Sequence, residues 1–135
     1  MNDPSTLRAA ALLGALAVAL GAFGAHGLTG KLTDLQLATY RTAVDYHFYH
    51  TLALLVVGFV RTRSDQVWLR RAAVLFVAGV VCFSGSLYLL SCRELLGLGT
   101  GWRWLGPVTP VGGLFFLLGW AALLFVGRAE SATPK

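Results

Sequence analysis

Long apolar runs separated by short polar gaps set the pattern of this chain. The first covers 9–25 without a charged residue, the third covers 72–92 and the fourth 104–127. Each is near or above the ~20 residues that carry a helix across about 30 Å of hydrocarbon. An open strand or loop would leave its backbone unpaired in lipid, so helices are the elements that fit. The second run is less clean. Residues 51–60 are apolar but too few to span, and extending back to Ala43 brings in Asp45, His47 and His50. The pattern predicts one long helix over 33–61, with Thr33 as N-cap and Asp34 in the first turn. Its part up to Arg41 then stands at or above the membrane surface. The predicted spans are 9–26, 43–61, 72–92 and 104–127. A three-span alternative would lay the second run on the interface, but Leu54, Leu55, Val56 and Val57 lack the one-sided pattern that this needs. The first run also has the outline of a cleaved leader, with Arg8 before it and Ala22 and Gly24 near its end. Asp3 beside Arg8 weakens the basic start of such a leader, so the run is read as a span.

Composition agrees with this pattern. Of 135 residues, 56% are hydrophobic and 13% charged, against about 25% charged in an ordinary soluble domain. Disorder is excluded, because a disordered chain is poor in apolar residues. A soluble monomer of this size would need more surface charge. The expected fold class is therefore all-α, a four-helix integral membrane bundle in one domain.

The excess of 11 Lys+Arg over 6 Asp+Glu and the pI near 9.8 raise the question of nucleic acid. The basic residues sit in the gaps between apolar runs, so membrane orientation accounts for them and no nucleic-acid partner is expected. With four spans, one side holds Arg8, Arg61, Arg63, Arg70, Arg71, Arg128 and Lys135, seven in all. The other holds Lys31, Arg41, Arg93 and Arg103, four in all. The positive-inside rule then puts both termini in the cytoplasm, with the protein in the plasma (inner) membrane. Cys82 and Cys92 fall about 15 Å apart along one helix and cannot pair with each other. No metal, nucleotide or hydrolase signature occurs, so no cofactor, metal or catalytic residue is expected.

Lipid gives helices no hydrophobic reason to associate, so close packing needs small residues. Ala17, Gly21 and Ala25 repeat at four-residue spacing in the first span, and Ala78, Cys82 and Ser86 in the third. Gly112, Gly113 and Gly119 mark the fourth. The polar residues follow from the topology. His26 ends the first span on its outer side. Asp45, Tyr46, His47, Tyr49 and His50 lie in the outer part of the second, Ser84, Ser86 and Tyr88 in the outer half of the third, and Thr109 near the start of the fourth. A candidate polar cluster of His26, Tyr46, His50, Ser84, Ser86, Tyr88 and Thr109 is the result.

The same segments carry a family resemblance. GAFGAHGL at 21–28, TAVDYHFYH at 42–50, FSGSLYLL at 83–90 and TPVGG with a later GW at 109–120 resemble the signature of the bacterial domain of unknown function 423 family, itself similar to the eukaryotic transmembrane protein 256. The match runs through all four apolar runs in order. Gly21, Gly24, His26, Tyr46, His50, Ser84, Gly85, Ser86, Tyr88, Thr109, Pro110, Gly112 and Gly113 fit its pattern. The resemblance implies a small four-span membrane protein with no established biochemical role. It also adds Gly24 and Gly85 to the packing glycines Gly21, Gly112 and Gly113.

Three classes of function stay open. The leading one is a non-enzymatic membrane protein that acts by helix packing, in the bilayer, as a homo-oligomer or with a membrane-protein partner. The second is an oligomeric transporter or channel for a proton or small solute, since an ionisable group within a span is costly and usually faces the interior. The third is a cofactor- or metal-binding protein using His47 and His50 at i, i+3, although zinc normally takes a third protein ligand. His50 is expected to point into the bundle, within hydrogen-bond reach of Tyr46, Ser84, Ser86, Tyr88 or Thr109.

Overall fold

A computed structural model describes residues 4–60, 66–99, 102 and 104–126. Pro4 opens the first helix, α1 (Pro4–His26), in the first turn, which has no use for its missing N–H. At the other end the N–H groups of Gly27 and Leu28 both turn back to the Phe23 carbonyl, at 2.7 and 3.2 Å. Gly30, at φ 79°, then reverses the chain in a conformation that glycine tolerates without strain.

Helix α2 (Asp34–Val60) starts at a capping box. Gln36 N–H donates to Thr33 Oγ1 at 3.3 Å, and Thr33 N–H donates to Gln36 Oε1 at 2.9 Å. Two otherwise unpaired donors are satisfied reciprocally, and the expected cap at Thr33 is in place. The third span has three parts in line: α3 (Gln66–Gly79), a π-helical turn over Val80–Ser84, and α4 (Gly85–Cys92). Helix α5 (Leu105–Leu123) tolerates Pro107 in its first turn. Pro110 lies further in and removes one rung of the helical ladder. Among the described residues, four helices are long and apolar enough to cross a membrane: Pro4–His26, Asp34–Val60, Val67–Cys92 and Leu105–Leu123. The described residues are helical apart from turns, so the fold class is the expected all-α membrane bundle. Arg61, Arg63, Arg103, Arg128 and Lys135, used above for orientation, lie outside the described residues, as does Gly127 at the end of the fourth predicted span.

Helix α2 is central. It packs against α1 on one flank and against α3, the π turn and α4 on the other, while α5 packs along the third span. The half of the bundle at which α2 ends and α3 begins holds an apolar core of Leu54, Val57, Leu69, Ala72, Phe76, Val80, Phe116 and Ala122. A smaller core of Leu28, Leu32 and Tyr40, backed by Tyr88 and Cys92, closes the opposite end, beside the α1–α2 turn.

Small residues set how close the helices come. Along α1 the buried positions are Ala10, Ala17 and Gly24, seven residues apart. Ala25 is exposed, so the stripe read at four-residue spacing shifts to a seven-residue one. Shallow crossing of long helices explains the shift, because the contact face recurs about every seven residues. Gly112 and Gly119 repeat the spacing on α5, and both are buried. A Cβ on Gly112 would meet the backbone of Cys82 and Phe83, and one on Gly24 would lie 2.6 Å from the Tyr40 ring. Gly21 is less tight, 3.3 Å from Val44, and Gly113 makes ordinary contact with Phe83 at 3.8 Å. Gly85 does not pack against another helix: the nearest atom to a Cβ there is the Val80 carbonyl oxygen of its own span, at 4.0 Å. It follows directly on the π turn, whose wider winding rotates it away from the α5 contact.

Candidate functional site

Among the described residues, polar contacts that join different spans involve all four. Near the α1–α2 turn, the Tyr40 hydroxyl on α2 donates to the Leu20 carbonyl of α1 at 2.9 Å. Its ring lies against that of Tyr88, centroids 5.0 Å apart. Tyr88 in α4 places its hydroxyl 3.3 Å from His47 Nδ1 of α2. Ser86 in α4 meets Thr109 of α5, oxygen to oxygen, at 2.7 Å. Ser86 also donates to the Phe83 carbonyl at 2.9 Å. A serine hydroxyl has one proton, so Thr109 is the donor to Ser86 and a chain of two hydrogen bonds runs from α5 into the π turn.

A further contact is at His50, which is 6% exposed. Trp120 Nε1 of α5 donates to His50 Nε2 at 3.2 Å. An indole N–H only donates, so Nε2 must be the bare nitrogen of the ring. The proton is then on Nδ1, 2.8 Å from the Tyr46 carbonyl one turn back. This assigns a neutral imidazole in a single tautomer. The ring stacks on Phe116, centroids 3.5 Å apart and planes 10° from parallel. His50 is ten residues from Val60, about 15 Å at helical rise, and so lies near the middle of the hydrocarbon. Protonating or metallating it would require breaking one of its two hydrogen bonds.

His47 is different. It is 2% exposed, its Nδ1 faces Tyr88, and its Nε2 has no hydrogen-bond partner, with the Leu13 backbone of α1 alongside. Thr51, one turn further along α2, donates to the His47 carbonyl at 2.8 Å. Ser84 is fully buried in the π turn and its hydroxyl is also without a partner.

The predicted cluster is therefore only partly gathered. Ser86 meets Thr109, Tyr88 meets His47, and His50 meets Tyr46 through the latter's backbone. His26 stands apart, exposed at the end of α1, because the chain turns away immediately after it. The Tyr46 side chain is 41% exposed and lies over Phe83, centroids 4.7 Å apart. Ser84 makes no bond to His50. Two participants were missed. Trp120 was read only as part of a motif, although an indole N–H placed deep in lipid is a donor that needs an acceptor. Tyr40 was assigned to the surface part of the second helix. Beside His50 and Trp120 is a groove of about 770 Å³ between α2 and α5, walled by Tyr46, Phe83 and Leu117. It opens sideways at span depth, where lipid chains rather than bulk water would fill it.

The chain matches the family described as "Protein of unknown function (DUF423)" over residues 20–113. It is similar to the UPF0382 membrane protein YwdK of Bacillus subtilis, 44% identical over 81% of this chain and 84% of that protein. It is also 42% identical to the UPF0382 membrane protein SAB0533 of Staphylococcus aureus, over 84% of this chain and 89% of that one. With the UPF0382 inner membrane protein YgdD of Escherichia coli the identity is 40%, over 85% and 82%. No solved structure matches the chain.

Proposed function

The chain belongs to the DUF423 family of small membrane proteins, a family with no assigned activity, and we propose that it works without catalysis, through its packed helical body. The observation that carries this reading is the use of the deepest polar groups. His50 and Trp120 satisfy each other, and Ser86, Thr109, Tyr88 and Tyr40 each bond to a neighbouring span. In lipid, such bonds hold helices together. They leave His50 no free nitrogen with which to relay a proton or hold a cofactor.

The partners are the lipid bilayer and a second protein chain, either another copy or a different membrane protein. The shape supports assembly, because only 17% of the α1 span is buried in the bundle. Its outward face carries Ala11, Ala15, Ala19 and Ala22, which share one side of a helix and let another approach closely. Both termini are cytoplasmic on this reading, supported by the seven-to-four split of Lys and Arg.

Proteoliposomes loaded with a pH-sensitive dye test the first part. The expected proton leak equals that of empty vesicles and is the same for His50→Gln. A saturable flux that this variant abolishes would replace the packing reading with transport. Counting of photobleaching steps in bilayers should give at least two copies per spot, or one copy beside a co-purified partner. A solitary monomer would remove the assembly part. A reporter fused at Lys135 should be active only in its cytoplasmic form. Activity of a periplasmic reporter there would reverse the topology.

A further inference from the structure

At the end of the bundle where the third span begins, a second groove of about 680 Å³ lies between α3 and α5. Its rim carries Arg70 and Arg71, both exposed. Its walls are apolar and include Val74, Leu118 and Phe125. Trp68 and Phe125 stack across it, centroids 4.8 Å apart and planes 24° from parallel. The Arg71 guanidinium sits 4.6 Å from the centre of the Trp68 ring, which orients the cation at the rim. Neither arginine forms an ion pair among the described residues; the ion pair that is present there, Arg93–Glu94, lies at the opposite end of the span. Arg70 and Arg71 are three and four residues into the span that starts at Val67. At helical rise that is about 5 Å from its end, the depth of lipid headgroups.

From this geometry we infer that the Arg70–Arg71 groove is a binding site for an anionic phospholipid. The headgroup phosphate is held by the two arginines, and an acyl chain lies along Val74 and Leu118. The charge selects the headgroup, because two adjacent cations with no carboxylate paired to them among the described residues attract an anion, and a guanidinium fork matches phosphate oxygens two at a time. The groove selects a lipid over soluble phosphate, because its apolar walls continue from the rim into the hydrocarbon, where a free ion gains nothing. Basic pockets between helices at the cytoplasmic surface are suited to acidic lipids on the same grounds. The site also fits the orientation proposed above, since it lies on the more basic side.

Native mass spectrometry of the full chain, offered equal amounts of phosphatidylglycerol and phosphatidylcholine, tests this. The expected result is a several-fold excess of phosphatidylglycerol adducts, lost in R70Q/R71Q and reduced but still present in R70K/R71K, which keeps the charge and loses the fork. Val74→Trp, which fills the groove and leaves both arginines, should also lower the phosphatidylglycerol adduct several-fold. This arm, with the lysine pair, decides the matter if the glutamine pair does not fold. Equal adducts in the unaltered protein would overturn the proposal, as would a preference unchanged by R70Q/R71Q or by Val74→Trp. Full displacement of the lipid by millimolar inorganic phosphate would also overturn it, in favour of a soluble-anion site.

Discussion

His47 and His50 stand three residues apart on α2, and their surroundings differ. His50 has a partner on each ring nitrogen and a flat contact with Phe116. His47 is buried more deeply, yet it has one long contact to Tyr88 and an Nε2 with no partner. Ser84, one turn before Tyr88 on the third span, is likewise buried and its hydroxyl is unpaired. Three residues of helix rotate a side chain by about 60° from its predecessor's direction. That rotation is enough to turn His50 toward α5 and His47 toward α4 and α1. What reads along the chain as one His-x-x-His feature is two sites with different energetics. The His50 site holds two spans together and has its proton fixed. The His47–Ser84 region contains the polar capacity that the bundle leaves unmatched.

The largest expected effect lies on the α5 side of the His50 site. Gly112→Leu would drive a side chain into the backbone of Phe83, part of a π turn that cannot move without unseating Ser86 and Thr109. Overpacking of this kind costs about 3 kcal/mol or more, so the variant should lose folded protein in detergent at temperatures where Gly113→Ala remains folded. Similar stability of the two would show that α5 is not docked through Gly112.

Next in size is His50→Leu, expected to cost about 2 kcal/mol because it strands the Trp120 N–H in lipid. His50→Gln, which retains an acceptor, should cost roughly half of that. His47→Leu removes the unpartnered Nε2 together with the long 3.3 Å contact to the Tyr88 hydroxyl, and should cost less than His50→Leu, about 1 kcal/mol. Reversible unfolding of the three variants in bicelles measures the order. A His47→Leu cost equal to or above that of His50→Leu would erase the distinction between the sites.

How much of this was legible along the chain depends on what water and lipid distinguish. The four spans and the cap at Thr33 were readable, because span length and cap chemistry are local, while the reciprocal bond from Gln36 came from the structure. The rotation of each helix was not. In a soluble helix one polar face marks the outside. Here both the interior and the lipid are apolar, so Leu54, buried, and Leu52, exposed, look alike. Small residues were the remaining guide. They worked at Gly24 and Gly112 and failed at Ala25 and Gly85, because the contact face recurs every seven residues and the π turn shifts the register of the third span. The partner of His50 was hidden for a related reason. Trp120 lies 70 residues away, and its half-exposed ring resembles any lipid-facing aromatic until its N–H is followed to an acceptor.

The smallest effect is expected at Ser84. Ser84→Ala removes a buried hydroxyl that has no partner while barely changing volume. It should be neutral or stabilise by up to about 1 kcal/mol, read from the same unfolding experiment. A loss of more than that would mean the hydroxyl has a partner in the membrane, and the region would no longer be the unmatched one.

The central claim, that His50 is held neutral as a bond between α2 and α5, rests on one proton. Nitrogen-15 spectra of selectively labelled histidine in lipid bilayers report it directly, with His47→Gln and His26→Gln variants assigning the signals. His50 should carry its proton on Nδ1 and have a bare, hydrogen-bonded Nε2 near neutral pH. Trp120→Phe should shift the Nε2 signal. A His50 protonated on Nε2 and unmoved by Trp120→Phe would contradict the claim.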